Sequence, residues 1–117
     1  MAINLTKGQR INLEKSNGAK LQSICVGINW GAIEKKGWLG GVKKEAVDLD
    51  ASCALYDDNK KIVDVVYFGN LRSKDSAVAH SGDDLTGDMG GDDGLDNEVI
   101  TLHFPMLNPS VNYVAFV

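Results

Sequence analysis

The sequence contains few of the side chains that most catalytic and redox chemistry requires. Its 117 residues include two histidines, His80 and His103, and two cysteines, Cys25 and Cys53, which are not arranged as C-x-x-C. We therefore predict that both cysteines are buried, reduced thiols rather than zinc ligands, and a single disulfide between them stays an alternative. With so few candidate nucleophiles and bases, the composition argues against an enzyme.

Long apolar runs, helical periodicity and low-complexity tracts are also missing. No segment approaches the length of a membrane span, and residues 1–10 do not have the basic and apolar regions of a secretion signal. No stripe of basic and aromatic residues indicates nucleic-acid binding. These absences predict one cytoplasmic domain that binds neither nucleic acid nor a small-molecule substrate.

Basic residues are absent from one acidic segment, residues 80–98. The segment carries seven carboxylates interleaved with five glycines, whereas Lys and Arg outnumber the acids in the rest of the chain. Two carboxylates about 5 Å apart repel each other by about 1 kcal/mol in water and about 3 kcal/mol at an effective dielectric constant near 20. A bound cation would remove this repulsion. The acids are Asp83, Asp84, Asp88, Asp92, Asp93, Asp96 and Glu98.

Oxygen ligands on a flexible backbone favour calcium as that cation. Ca²⁺ accepts roughly six to eight oxygens in irregular geometry, whereas Mg²⁺ takes fewer protein ligands and keeps its waters. The spacing does not match an EF-hand, because Leu85 or Gly94 falls at the third position of the motif. The alternative is a solvated acidic loop that holds no ion.

Short alternating apolar runs, separated by Gly, Asn and Asp, predict an all-β fold. Residues 47–55 alternate clearly, so Asp48 and Asp50 are expected on the same face of one strand. The dense apolar content of residues 62–68 predicts a central strand that is buried on both faces. Further strands are predicted at residues 24–28, 99–104 and 111–117, with a hairpin within residues 1–14 and a long lysine-rich loop at residues 31–46.

A sandwich is the architecture that fits these strands best. Loops gather at the ends of the sheets in a sandwich, where they can share a ligand. Asp48 and Asp50 are therefore able to meet the acidic segment there. We predict an antiparallel β-sandwich with calcium-binding loops at one end.

Six motifs follow one another along the chain. They are Ile3-Asn4-Leu5-Thr6-Lys7-Gly8, Val26-Gly27-Ile28-Asn29-Trp30, Asp48-Leu49-Asp50-Ala51-Ser52, Tyr67-Phe68-Gly69-Asn70-Leu71, His80-Ser81-Gly82-Asp83-Asp84-Leu85-Thr86-Gly87 and Gly91-Asp92-Asp93. In this order they resemble the TerD family of tellurium-resistance and stress proteins. The resemblance implies a β-sandwich with calcium ions near one end. It also implies that residues 1–117 form a single TerD-like domain that lacks the C-terminal third of a typical family domain.

Carried over residue by residue, the resemblance implies a calcium ligand set of eight carboxylates. Gly31 stands where family members commonly have an acid, so the number of ligands is expected to differ. Asp84, Asp88 and Asp96 are weaker ligand candidates that set the local electric field. Without calcium, Asp75 would be an ordinary turn residue. The implied ligands are Asp48, Asp50, Asp75, Asp83, Asp84, Asp92, Asp93 and Glu98.

The resemblance implies a non-enzymatic calcium-binding module of a tellurium-resistance and stress-response system. Calcium would order the acidic loops, so that one end of the sandwich recognises a protein partner of a stress-response complex or an anionic membrane surface. Lys35, Lys36, Lys43 and Lys44 offer a second contact, or simply solubilising charge. The alternative is a structural interaction domain that holds ions incidentally. The expected location is the cytoplasm, including the inner face of the membrane.

Overall fold

A computed structural model describes residues 4–13 and 18–117. Over these residues the chain forms eight β-strands and one short 3₁₀ helix, and no helix there is long and apolar enough to cross a bilayer. The prediction of an all-β fold is confirmed. The strands are β1 (Ser23–Ile28), β2 (Ile33–Lys36), β3 (Val42–Glu45), β4 (Cys53–Tyr56), β5 (Ile62–Val66), β6 (Val78–His80), β7 (Glu98–His103) and β8 (Tyr113–Phe116), and the 3₁₀ helix is Phe104–Met106.

Two three-stranded antiparallel sheets form the body of the fold. One has the strand order β1-β7-β6 and the other β5-β4-β8, so β7 and β4 are the central strands. Every second side chain of β4 and β7 is buried, because alternate residues of a strand point to opposite faces. Both sheets contribute to one core, as in an antiparallel sandwich. The core contains Ala51, Cys53, Leu55, Val66, Ala77, Val78, Ile100 and Leu102.

The strands predicted at residues 24–28, 99–104 and 111–117 are confirmed as β1, β7 and β8. The prediction of a central strand at residues 62–68 is wrong, because among the described residues β5 lies at a sheet edge and β4 is the one strand with which it pairs. The apolar run of residues 62–68 includes side chains that stay exposed, such as Ile62 and Phe68. Apolar density alone therefore does not distinguish a buried strand from an edge strand.

The strand predicted at residues 47–55 begins only at Cys53. Asp48 and Asp50 precede β4 in a stretch without regular secondary structure, so the prediction that they share a strand face is wrong. Backbone pairing starts at Ser52, which exchanges hydrogen bonds of 2.8 and 2.9 Å with Val117. The two aspartates consequently belong to a loop at the start of β4.

Residues 31–46 form a hairpin rather than the predicted loop. Strands β2 and β3 pair antiparallel with each other in a separate two-stranded sheet. All eight strand residues are exposed. The sequence gives no alternation here, because neither face of the hairpin is buried in the core.

The hairpin predicted near the amino terminus is present only as a turn. The Gln9 N–H donates to the Thr6 carbonyl at 3.1 Å, which closes the turn around Gly8. Residues 4–13 contain no strand. The part of this prediction that involves Ile3 lies outside the described residues.

The two cysteines differ in their exposure to solvent. Cys53 is fully buried in β4, and burial raises the pKa of its thiol to about 11. Cys25 is exposed on the outer face of β1, where its Sγ is 3.6 Å from the Thr101 Oγ1. Both are free thiols. The prediction of a buried thiol is therefore correct for Cys53 and wrong for Cys25.

Candidate metal centre

Three carboxylates from two distant segments meet at one end of the sandwich. Asp48 and Asp50 precede β4, and Asp83 follows β6. One carboxylate oxygen of each lies within 4.8 Å of the others, and all three side chains are exposed. We call these residues the first cluster. The structure thus brings the D-L-D motif and the acidic segment together.

The crowding of negative charge is strongest at Asp83. Desolvation raises the pKa of its carboxyl group, and the charges of Asp48, Asp50 and Glu98 raise it further. Each neighbouring carboxylate disfavours the ionised form of Asp83. A cation placed between these groups would reverse that effect.

Glu98 connects the two segments of the first cluster from inside the sandwich. It is the first residue of β7, faces the core and has no exposed surface. Its Oε2 accepts the Ala51 N–H at 2.8 Å, and its Oε1 accepts the Asp84 N–H at 3.0 Å. Both carboxylate oxygens are therefore engaged by backbone donors. Glu98 holds the backbone beside the cluster.

His80 completes this buried network. Its Nδ1 accepts the Gly82 N–H at 2.9 Å, so that nitrogen carries no proton. Its Nε2 lies 3.0 Å from the Ala51 carbonyl and 3.3 Å from the Glu98 Oε2, and both of these are acceptors. The contacts select the tautomer with the proton on Nε2. His80 thus fixes the start of the acidic segment.

A second cluster forms within the acidic segment itself. One carboxylate oxygen each of Asp88, Asp92 and Asp93 lies within 4.8 Å of the others. Two amides support it: the Asn97 Nδ2 donates to the Asp88 Oδ1 at 2.7 Å, and the Asn29 Nδ2 donates to the Asp92 Oδ1 at 3.2 Å. We call these three aspartates the second cluster.

Trp30 links the backbone segments that carry the two clusters. Its indole N–H donates to the Val47 carbonyl at 2.7 Å, next to Asp48. Its backbone carbonyl accepts the Asp88 N–H at 2.8 Å.

Gly87 packs closely against the Trp30 side chain. A Cβ at this position would lie 2.3 Å from the Trp30 Nε1, and the φ of Gly87, +62°, is in the left-handed region. Only glycine fits this position without displacement.

Asp84 organises the turn between the clusters. Its Oδ1 accepts the N–H groups of Thr86 at 3.1 Å and of Gly87 at 3.0 Å. These bonds lower the pKa of the Asp84 carboxyl. In the second cluster, the N–H of Gly94 likewise lowers the pKa of Asp92. Both carboxyls are therefore held in the ionised form that a cation binds.

Asp75 lies away from both clusters. It precedes β6 while Asp83 follows it, so the two residues lie toward opposite ends of that strand. Its Oδ1 accepts the Ser73 hydroxyl at 2.6 Å and the Ala77 N–H at 2.9 Å, and its Oδ2 accepts the Asn108 N–H at 2.9 Å. Partial burial raises the pKa of Asp75, but these bonds outweigh it and the net pKa is lowered. Asp75 therefore has the geometry of an ordinary turn residue, which was the alternative to a calcium ligand.

The structure brings five of the eight implied ligands into the two clusters: Asp48, Asp50, Asp83, Asp92 and Asp93. Asp84 and Glu98 bind backbone N–H groups beside them. Asp88, one of the weaker candidates, joins the second cluster. Its spacing in the sequence does not distinguish it from Asp96. Asp88 is positioned in the second cluster by the pairing of its backbone with Gly31, which is distant in sequence.

Comparison with known proteins identifies the family of this chain. The model of the TerD domain matches residues 1–117. The chain belongs to the TerD domain family. It is 40% identical over 116 residues to a tellurium resistance protein, TerZ of Serratia marcescens, and 38% identical over 125 residues to the stress response protein SCP2 of Bacillus subtilis (strain 168). It is also 31% identical over 120 residues to the tellurium resistance protein TerD of Serratia marcescens.

The chain matches only part of the length of these relatives. The three alignments cover 97%, 100% and 100% of the chain, but 58%, 59% and 56% of the relatives. The resemblance seen in the sequence motifs is confirmed. The chain thus belongs to a tellurium-resistance and stress-response family and spans less than two thirds of the length of these members.

Proposed function

We propose that this TerD domain is a non-enzymatic calcium-binding module. The observation that carries the proposal is the first cluster, in which Asp48 and Asp50 approach Asp83 within 4.8 Å although more than thirty residues separate them in sequence. Such an approach of like charges is costly unless a cation compensates for it. The second cluster offers a further group of three carboxylates.

The chemistry of the donors supports calcium as the ion. Both clusters consist of carboxylates, which are hard oxygen ligands, and neither contains a histidine or cysteine. Zinc sites usually include imidazole or thiolate ligands. Exposed loops with several carboxylates suit the flexible coordination of Ca²⁺ better than the rigid octahedron of Mg²⁺. Asp48, Asp50 and Asp83 would hold one ion, and Asp88, Asp92 and Asp93 another.

When bound, calcium would supply positive charge that offsets the repulsion within each cluster. The chain itself provides the framework: Glu98, His80 and Trp30 hold the loop backbones together through the bonds described above. Calcium binding would then stiffen one end of the sandwich for recognition of a protein partner or a membrane surface in the cytoplasm. This is the role we propose in tellurium resistance and the stress response.

Three of the four histidine and cysteine side chains support a non-enzymatic role. His80 is engaged through both ring nitrogens, and the Cys53 thiol is buried with a raised pKa, which makes it a poor nucleophile. His103 is exposed at the end of β7, away from the clusters. We propose that this domain acts by binding alone.

Calorimetry and NMR test the proposal with one matched pair of variants. Titration with Ca²⁺ should give heat and shift the amide signals of residues 48–50 and 82–98. Asp83→Asn should weaken calcium binding by about tenfold or more, because it removes one carboxylate of the first cluster. Asp58→Asn, which alters an exposed turn residue, should leave the affinity unchanged.

Two outcomes would contradict the proposal. Absence of heat and of amide shifts at millimolar calcium would remove calcium binding altogether. Equal shifts over the whole chain, with no difference between the two variants, would indicate diffuse ion binding. In the second case the domain would be a structural interaction domain with incidental ions, which is the alternative raised by the sequence.

A further inference from the structure

The β2–β3 hairpin ends in two apolar side chains that the fold does not use. The Gly40 N–H donates to the Gly37 carbonyl at 3.0 Å, so Trp38 and Leu39 occupy both central positions of a β-turn. Trp38 is 95% exposed and Leu39 is 85% exposed. Central turn positions usually carry Gly, Pro, Asn, Asp or Ser. Folding therefore gives no reason for a tryptophan and a leucine here.

The charges of the hairpin change from its base to its tip. The acids occupy the two rungs at the base, where Glu45 faces Ile33 and Glu34 faces Lys44. In the next rung toward the tip, Lys35 stands directly opposite Lys43, and Lys36 follows in the last rung. Like charges directly opposite each other destabilise a strand pair.

One ion pair offsets this repulsion only in part. Lys35 pairs with Glu45 at 2.5 Å. Lys36 and Lys43 have no ion pair with any described residue. The tip region of the hairpin is thus positively charged around an exposed aromatic and an exposed aliphatic side chain.

We propose that this hairpin docks on an anionic lipid surface, with Trp38 and Leu39 at the level of the headgroups. Tryptophan favours the boundary between headgroups and acyl chains, and nearby lysines gain from the negative surface potential of anionic lipids. Three lysines in the two rungs nearest the tip, together with the two apolar side chains of the turn, match both requirements. A protein partner would not require this separation of apolar tip and flanking positive charge.

The second cluster lies next to the base of the same hairpin. Glu34 and Lys44 line a cleft of about 390 Å³ together with Asp88 and Asp92. These acids would be repelled by an anionic membrane, so calcium in the second cluster should strengthen docking. The calcium dependence rests on the function proposed above. Docking of the hairpin itself does not.

Vesicle binding of the full chain tests the inference. Vesicles of phosphatidylcholine alone are compared with vesicles containing about one quarter phosphatidylserine. We expect co-sedimentation only with the anionic vesicles, together with a blue shift of tryptophan emission. The chain has two tryptophans, and Trp30 is buried, so the shift should vanish in Trp38→Phe.

Two pairs of variants separate the apolar and the electrostatic contributions. Trp38→Ser with Leu39→Ser should lower the partition coefficient about tenfold or more, whereas Ile62→Ser, which alters an exposed residue of β5, should not. Lys36→Gln with Lys43→Gln should lower it about fivefold per lysine. Lys61→Gln with Lys74→Gln, which removes the same charge elsewhere, should have little effect.

The outcomes distinguish this inference from the proposed function. Failure to bind anionic vesicles, while calorimetry still detects calcium, would overturn the docking inference alone. A protein partner would then be the remaining candidate for the hairpin. Equal binding to both kinds of vesicle, or equal binding by the Trp38→Ser, Leu39→Ser variant, would overturn it as well. Docking that is the same in calcium and in chelator would support the hairpin as the docking element and remove the calcium dependence.

Discussion

Glu98 shows how a carboxylate beside a candidate metal cluster can support the backbone. The resemblance implies that it is a calcium ligand, and the structure gives both of its oxygens to backbone N–H groups. The sequence contains one hint of this. Glu98 directly precedes the strand predicted at residues 99–104 and is two residues before Ile100, so alternation places it on the core-facing side. The partners that occupy its oxygens come from distant segments and are not visible in the sequence.

Replacing Glu98 by Gln should loosen both loops that it holds. One oxygen becomes an NH₂ group, which cannot accept a hydrogen bond, so the N–H of Ala51 or of Asp84 loses its partner. We expect the free energy of unfolding in urea to fall by about 1–3 kcal/mol. Hydrogen exchange of one of these two amides should accelerate. Glu45→Gln, at an exposed position of β3, serves as the control.

A different result would restore the role implied by the resemblance. If Glu98→Gln abolished the heat of calcium binding while the protection of the Ala51 and Asp84 amides stayed unchanged, Glu98 would be a ligand and not a support of the backbone.

Asp75 should affect stability and not calcium binding. Its folded-state pKa is lowered from 3.8, so its contribution to stability is complete above that value and is lost as the pH falls through the folded-state pKa. Asp75→Asn should therefore cost about 1–3 kcal/mol at neutral pH. The difference from the unmodified chain should shrink in acid, as urea unfolding at several pH values would reveal.

Calorimetry of the same variant checks the placement of Asp75. Its calcium affinity should equal that of the unmodified chain, because the side chain lies toward the other end of β6 from Asp83. A clear loss of calcium affinity in a correctly folded Asp75→Asn protein would contradict this placement.

At the scale of elements, β1, β7 and β8 could be predicted from their apolar residues, whereas β2, β3 and the short β6 could not. β7 buries alternate residues and β1 shields alternate residues partly, whereas β8 has three partly buried residues in a row after the exposed Tyr113; the apolar residues of all three strands are visible in the sequence. β2 and β3 bury neither face, so they leave no periodic signal. The apolar run around β5 is partly exposed at a sheet edge. Whether a strand lies at the edge or the centre of its sheet depends on its pairing partners, which are remote in sequence.

The loop between β6 and β7 depends on one close contact with Trp30. Gly87→Ala should destabilise the chain by about 2–4 kcal/mol, because it combines a positive φ with a clash against the indole. Gly90→Ala is a matched control in the same loop, since no atom lies within 4 Å of a Cβ placed there. Thermal unfolding of both variants would measure the difference. Equal melting temperatures would show that the loop does not pack on Trp30 in solution.

At the scale of the whole molecule, the first cluster joins the two sheets. Asp48 and Asp50 lead into β4 of one sheet, and Asp83 follows β6 of the other. The sequence indicated that this meeting was possible, because loops gather at the ends of the sheets in a sandwich. It could not rank Asp88 above Asp96, because that distinction depends on the pairing of Asp88 with the distant Gly31. It could not separate Asp75 from the first cluster, because that depends on which end of β6 each residue adjoins.

A calcium ion held between the sheets should stabilise the whole sandwich. Free calcium at about 100 times the dissociation constant would raise the free energy of unfolding by about 2.7 kcal/mol. For a domain of this size the melting temperature should rise by about 10 °C relative to the chelated protein. Scanning calorimetry in calcium, magnesium and chelator measures the effect. An identical melting temperature in calcium and chelator would contradict a shared ion.

Because the two thiols differ in burial, their labelling rates report how often the sandwich opens. A maleimide should label Cys25 at once, whereas Cys53 reacts only when β4 separates from the opposite sheet. The rate of the second labelling step, followed by mass spectrometry, thus reports how often the sandwich opens under native conditions. Any ion or surface that fastens the two sheets together must slow that step, and no substitution is needed to observe it.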